Sequence, residues 1–218
     1  MAGLITGLEA GRIRENLARV REELPEGVQV LAAVKYVPLE ELETLAEAGI
    51  ELVGENRAQD LEAKTTAYPG VFRWHFIGQL QSRKVKQILP HVELIHSVAS
   101  DSALRQLAKH GNPERGAGGP RGTEVLVEVN TSGEEAKAGI APGELGAFIE
   151  RCPVRVVGLM TMPPFTEDPE ASRPHFAVLR ELAERHGLRE LSMGTSQDYA
   201  VAVQEGATIV RLGTVLYD

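Results

Sequence analysis

Cysteine is almost missing from this 218-residue chain, in which Cys152 stands alone. No intrachain disulfide can form, which excludes a disulfide-stapled secreted scaffold and fits a reducing compartment. Excess positive charge is missing too. Lys and Arg number 23 against 31 Asp and Glu, for a formal net charge of -8. That balance opposes an electrostatic grip on nucleic acid or an anionic membrane, because phosphate-rich partners attract basic surfaces. No apolar run approaches the roughly 20 residues that span a bilayer, and MAGLITGLEAGRIREN has no basic stretch leading into an apolar core. A cytoplasmic location is therefore expected. Neither GxGxxG nor GxxxxGK[ST] occurs, which disfavours a dinucleotide or P-loop site, and the histidines form no HxH or HExxH metal pattern.

What is present is an ordinary globular composition, 43% apolar and 25% charged, read as one domain over residues 1–218. Thr6-x-x-Glu9 has the form of a capping box, and Ile13, Leu17, Val20 and Leu24 follow at helical spacing, predicting one amphipathic N-terminal helix. Eight β-branched runs come next: VQVLAAVK, LVGEN, RWHFIG, LIHSVA, EVLVEVN, VRVVGLMTM, LRELSMG and TIVRLGT. Helix-like stretches separate them, such as PLEELETLAEAG, with proline at its start and glycine at its end. The alternation predicts parallel strands in an α/β fold, a (β/α)8 TIM barrel with an extra N-terminal helix rather than an open doubly wound sheet. The loop at 111–122, GNPERGAGGPRG, reads as a solvent-exposed linker. The loop at 163–174, PPFTEDPEASRP, leaves the carboxyl end of strand six, where barrel sites form, and is placed to act as a partial lid.

Alternation along VQVLAAVK puts Leu31, Ala33 and Lys35 on one side of the strand. If that side faces the barrel interior, small Ala33 leaves room for the stem of Lys35. A desolvated amine there favours the neutral, nucleophilic form that condenses with carbonyls, although a solvated lysine at a strand end is the commoner case. The turns ending strands seven and eight, Ser192-Met193-Gly194-Thr195-Ser196 and Arg211-Leu212-Gly213-Thr214, together resemble a phosphate cradle, with a helix starting near Gln197 aiming its positive end at the same place. Each alone would read as a tight turn or cap. Arg211 lies within an otherwise apolar strand and needs an acceptor: an inward carboxylate such as Glu128 or Glu55, or a ligand atom. Asn56, His75, His96 and Asn130-Thr131-Ser132 sit at further strand ends, the histidines as satisfied core residues. Lys137 is a second amine near the mouth, in a Glu-rich loop.

Ordered motifs along nearly the whole chain also resemble one family: AAVKYVPLEEL, VGENRAQDL, WHFIGQLQSRKVK, IHSVAS, VNTSGEEAKAG, VGLMTMPP, LSMGTSQDY and VRLGTVLY. The chain is similar to the pyridoxal phosphate homeostasis proteins, alanine-racemase-like barrels lacking the racemase's C-terminal β domain. The resemblance implies that Lys35 holds pyridoxal 5′-phosphate as a Schiff base. It further implies that Ser192, Gly194, Ser196, Gly213 and Thr214 surround the phosphate, that Arg211 faces the pyridine nitrogen, and that Asn56 and Met160 are lesser pocket residues. The sequence departs from the family at Thr195 and Gln197, where members usually read SMGMSND. It also has Val37 where many members carry a second lysine, and Arg83 where asparagine is common.

The function implied is a carrier in vitamin B6 homeostasis that supplies pyridoxal phosphate to apoenzymes, with no established turnover. The main rival is a weak amino-acid racemase, which needs a second acid/base group opposite the lysine. In racemases that group comes from a partner subunit with help from an extra β domain, and only Val215 to Asp218 follow Thr214, so the domain is expected to be absent. A phosphosugar aldolase or isomerase fits less well, because strand six carries no lysine. No spare apolar stripe demands a partner, so a monomer is expected.

Overall fold

The computed structural model describes residues 3–112, 122–134 and 137–218. Helix α1 (Ala10–Glu23) precedes eight strands: β1 (Gln29–Ala33), β2 (Leu52–Glu55), β3 (Arg73–Phe76), β4 (Leu94–Val98), β5 (Glu124–Glu128), β6 (Arg155–Met160), β7 (Glu190–Thr195) and β8 (Ile209–Leu212). One helix follows each strand in turn: α2 (Leu42–Glu47), α3 (Ala58–Ala67), α4 (Val85–Ile88), α5 (Asp101–His110), α6 (Leu145–Arg151), α7 (Arg173–Arg185), α8 (Tyr199–Gln204) and α9 (Thr214–Tyr217). The strands form a closed barrel in the order β1 to β8. All pairings are parallel, and β8 closes on β1 with Leu31 opposite Arg211. The expected (β/α)8 barrel with its extra helix is the fold observed.

Two apolar regions follow from strand alternation. Outward residues such as Val53, Val125, Val127 and Val210 pack under the helices. Inward residues Leu31, Leu52, Leu94, Leu126, Met160 and Ile209 form a separate cluster that plugs the barrel. Two positions further along, Ala33, Glu128, Met162 and Arg211 open onto its carboxyl end.

Three local expectations are corrected. The Thr6/Glu9 capping box does not form: α1 starts at Ala10 with no side-chain cap, and Glu41 accepts from the Gly7 and Leu8 amides at 2.6 and 3.2 Å. β1 stops at Ala33, so Lys35 stands in the turn beyond it. The helix expected near Gln197 begins at Tyr199, after a turn. Of the loop read as an exposed linker, residues 113–121 lie outside the described set. In the loop read as a lid, Pro163 borders the cavity at the barrel mouth, next to Met162 just before the loop, whereas Phe165 is 78% exposed. No helix among the described residues is long and apolar enough to cross a membrane.

Candidate functional site

The carboxyl ends of the strands enclose a cavity of about 830 Å³, a size suited to a small organic ligand. Lys35, Asn56, Met160, Ser196, Arg211, Gly213 and Thr214 all line it. A second cavity of about 960 Å³ opens at the amino ends. On its rim Arg73 pairs with Glu93 and Arg155 with Glu124, each at 2.9 Å. The carboxyl-end cavity, by contrast, holds polar groups whose bonding capacity is unspent.

Lys35 is exposed to this cavity, with its Nζ 4.8 Å from the Tyr36 ring centroid. The turn beneath it is tied on several sides. Lys64, nearly sealed at 5% exposure, donates to the Val34 carbonyl at 2.7 Å and to Glu55 Oε2 at 2.6 Å. The Tyr217 hydroxyl donates to the Ala33 carbonyl at 3.2 Å. Glu55 also accepts from the Asn56 and Arg57 amides at 2.6 and 3.2 Å, so one carboxylate braces the ends of both β1 and β2. Glu55 faces the helix layer and is not the acceptor for Arg211. Asn56 Oδ1 is buried without a hydrogen-bond partner, which is costly unless a ligand donor meets it.

Arg211 comes from inside the barrel. Its Nη1 donates to the Ser192 carbonyl and hydroxyl at 2.7 and 2.5 Å, and its Nη2 to the Thr161 carbonyl at 3.0 Å and Met162 Sδ at 2.8 Å. A guanidinium has five N–H groups, so Nε–H alone lacks a partner among the described residues. Burial pushes the Arg211 pKa down to about 10, countered by Asp198 and Glu128, so it stays cationic at neutral pH. Glu128 contributes only this longer-range field.

Ser192 is completely buried and does not line the cavity. Its Oγ lies 2.8 Å from His96 Nδ1, and His96 Nε2 lies 2.9 Å from His75 Nδ1. Because Arg211 can only donate, the arrangement that satisfies every buried proton has Ser192 donating to His96 and His96 donating to His75. Burial, with its neighbours His75 and Arg211, holds His96 well below the usual histidine range. Burial and Arg73 push His75 down to about 3. Both rings are neutral links in a chain that orients Arg211, as core histidines rather than metal ligands.

Near the end of β7, just before the turn at 196–198, Gly194 sits at φ 89°, where a Cβ would strike Ala202 and Tyr199. Gly194 is thus required by backbone and packing against α8, and it too is absent from the cavity lining. Asp198 closes the turn, accepting from the Thr195 amide and hydroxyl at 2.7 and 3.0 Å. Ser196 Oγ accepts from the Gly213 and Val215 amides at 3.0 and 3.4 Å, so hydroxyl and amides converge at one end of the cavity. A Cβ on Gly213 would meet no protein atom within 4 Å. The space beside it belongs to the cavity, as an anion approaching backbone N–H groups requires.

Residues 8–218 match the model of the alanine racemase N-terminal domain. The pyridoxal phosphate homeostasis protein of Aquifex aeolicus is 39% identical over 94% of both chains. The chain belongs to this family. Among solved structures, PipY of Synechococcus elongatus with pyridoxal phosphate bound is 32% identical, with a TM-score of 0.78 over 94% of this chain and 100% of that one. An alanine racemase of Clostridium difficile shares the barrel at a TM-score of 0.71 and 12% identity, the match covering 57% of the racemase chain. That likeness concerns the fold alone.

Sequence reasoning did not single out Lys64, Thr161 or Asp198 as supports of the site. Lys64 left one usable signal: it continues the buried spacing of Ala58 and Leu61 on α3, where an apolar residue would be normal.

Proposed function

We propose that this chain holds pyridoxal 5′-phosphate covalently through Lys35 and serves cofactor supply in the cytoplasm as a monomer, with pyridoxal-phosphate-dependent apoenzymes as recipients. The observation carrying this reading is a free lysine amine and the single uncommitted Nε–H of Arg211 in one cavity. The bound group would supply an aldehyde that condenses reversibly with amines, on a ring that withdraws electrons.

The residues present fit that group. Lys35 provides the amine. Arg211 Nε–H suits an aromatic nitrogen that accepts and carries no proton of its own. The orphaned Asn56 Oδ1 suits a ligand hydroxyl, and buried Met160 forms an apolar wall. The Ser196 hydroxyl, whose oxygen accepts from the Gly213 and Val215 amides and whose proton is left to donate, suits the phosphate together with the Thr214 hydroxyl and the open space at Gly213. Gly194 shapes the turn, and Ser192 works one layer below by orienting Arg211.

The test is an absorption spectrum with pyridoxal phosphate, followed by borohydride reduction and peptide mass mapping. The expected result is a visible band, lost on reduction, with the added mass on the Lys35 peptide and absent in Lys35→Ala. Label scattered over surface lysines would overturn the reading.

One observation favours a second reading, a weak amino-acid racemase: Glu128 lines the cavity on the strand opposite β1 and offers another acid/base group. Arg211 argues against it, because an unprotonated ring nitrogen is a poor electron sink. A chiral assay over several amino acids separates the two, with no turnover expected for the carrier.

A further inference from the structure

Glu128 is the only carboxylate lining the carboxyl-end cavity among the described residues. It follows Leu126 by two positions on β5, and Leu126 belongs to the cluster inside the barrel, so Glu128 projects inward above it. Its residue exposure is 9%, yet neither carboxyl oxygen has a hydrogen-bond or ion-pair partner among the described residues. Only Asn56 Oδ1 and Ser172 Oγ are sealed without a partner among the described residues, so the Glu128 oxygens face the cavity and are open to a ligand and its protons. Structural carboxylates in this protein are treated differently, as the three donors to Glu55 illustrate. Burial raises the pKa of Glu128, with the Arg211 charge opposing, which brings its proton exchange closer to neutral pH.

In the closed ring, β5 stands four strands from β1 in either direction. Lys35 and Glu128 therefore enter the cavity from opposite walls, and a carbonyl held between them has the amine on one side and the carboxyl on the other. The other charged or titratable groups lining this space are Tyr36, Lys137 and Arg211. On the neighbouring strands, β4 carries neutral His96, and β6 places Met160 beside Glu128.

The geometry points to Glu128 as the acid/base group that moves protons during loading and unloading of an aromatic aldehyde on Lys35. This rests on the carrier reading above. Glu128 takes a proton from the Lys35 ammonium, and the freed lone pair forms a C–N bond as the carbonyl π electrons move to oxygen. Glu128 passes that first proton to the oxygen, then carries a second to it from the nitrogen, and the oxygen leaves as water while the nitrogen lone pair completes the C=N bond. The net change is ammonium plus aldehyde to protonated imine plus water, with Glu128 returned as carboxylate. Unloading runs the same steps backwards, so Glu128 sets how fast the carrier exchanges its cargo and leaves the affinity to other residues.

The experiment is stopped-flow mixing of apoprotein with pyridoxal phosphate across acid to alkaline pH, together with dilution-induced release and equilibrium titration. Borohydride trapping identifies the labelled lysine. In Glu128→Gln, loading and release should both slow by about tenfold or more, with the dissociation constant within about twofold of wild type. The acid-side limb of the wild-type loading rate should vanish in Glu128→Gln and persist in Glu128→Asp. A merely structural role would move affinity or stability without removing that limb. Loading and release at wild-type rates in Glu128→Gln would overturn the proposal, as would a slower loading matched by weaker affinity and unchanged release. Wild-type protein that traps no label on Lys35 would instead defeat the carrier reading, and this proposal with it.

Discussion

Replacing Lys64 with methionine tests whether the buried pair behind Lys35 is structural. The Lys64 and Glu55 side chains are 6% and 0% exposed and meet at 2.6 Å. Methionine fills nearly the same slot, so the cavity penalty is small. What is lost is the charge partner of Glu55 and the donor to the Val34 carbonyl. Stranding one member of a buried pair costs about 3–5 kcal/mol. Glu55 keeps the Asn56 and Arg57 amides as donors, which places the expectation near the lower end, about 3 kcal/mol. For a chain of this size that lowers Tm by about 6–12 °C. Urea and thermal unfolding of the apoprotein measure it. The double variant Lys64→Met/Glu55→Gln removes the stranded charge while keeping an acceptor for the amides, and should recover about 1 kcal/mol or more. A single variant within about 1 kcal/mol of wild type, or a double variant less stable than the single, would refute the reasoning.

Two further outcomes follow from the site. His75 titrates at about 3 in the fold and His96 well below its usual value, whereas each takes a proton near 6.5 when unfolded. The unfolded chain therefore binds more protons in that interval, and stability falls as pH drops below about 6.5, by up to about 1.4 kcal/mol per pH unit per histidine. Urea midpoints for wild type and His75→Gln should diverge in slope below that pH, and equal slopes would contradict a neutral His75. Ser196→Ala should weaken pyridoxal phosphate more than pyridoxal, while Ser192→Ala should weaken both to the same degree and cost about 1–3 kcal/mol of stability. Spectrophotometric titration with the two ligands decides this, and a phosphate-selective loss in Ser192→Ala would return its hydroxyl to the phosphate.

The alternating βα pattern was enough to favour a barrel over an open sheet, and closure of β8 on β1 bears it out. Eight β-branched runs separated by helical patterns have few other ways to bury their apolar faces, and Leu31, Ala33 and Lys35 revealed by alternation which face Lys35 would join. The Gly-Thr and Gly-Thr-Ser turns were legible as a candidate anion end because glycine and hydroxyl residues cluster there at consecutive strand ends. Tertiary structure alone decided how the polar groups are shared out. Ser192 and Ser196 sit four positions apart in one hydroxyl-rich segment, yet one turns into the barrel to meet Arg211 and His96 and the other reaches the cavity. Glu55 and Glu128 both looked able to serve Arg211, but strand pleat sent Glu55 outward to Lys64, and Arg211 found carbonyls instead. Strand periodicity is local and leaves its mark on sequence. The pairing of buried donors and acceptors is a contest among residues brought together only when β8 closes on β1, and its outcome is set by distances that no spacing along the chain encodes.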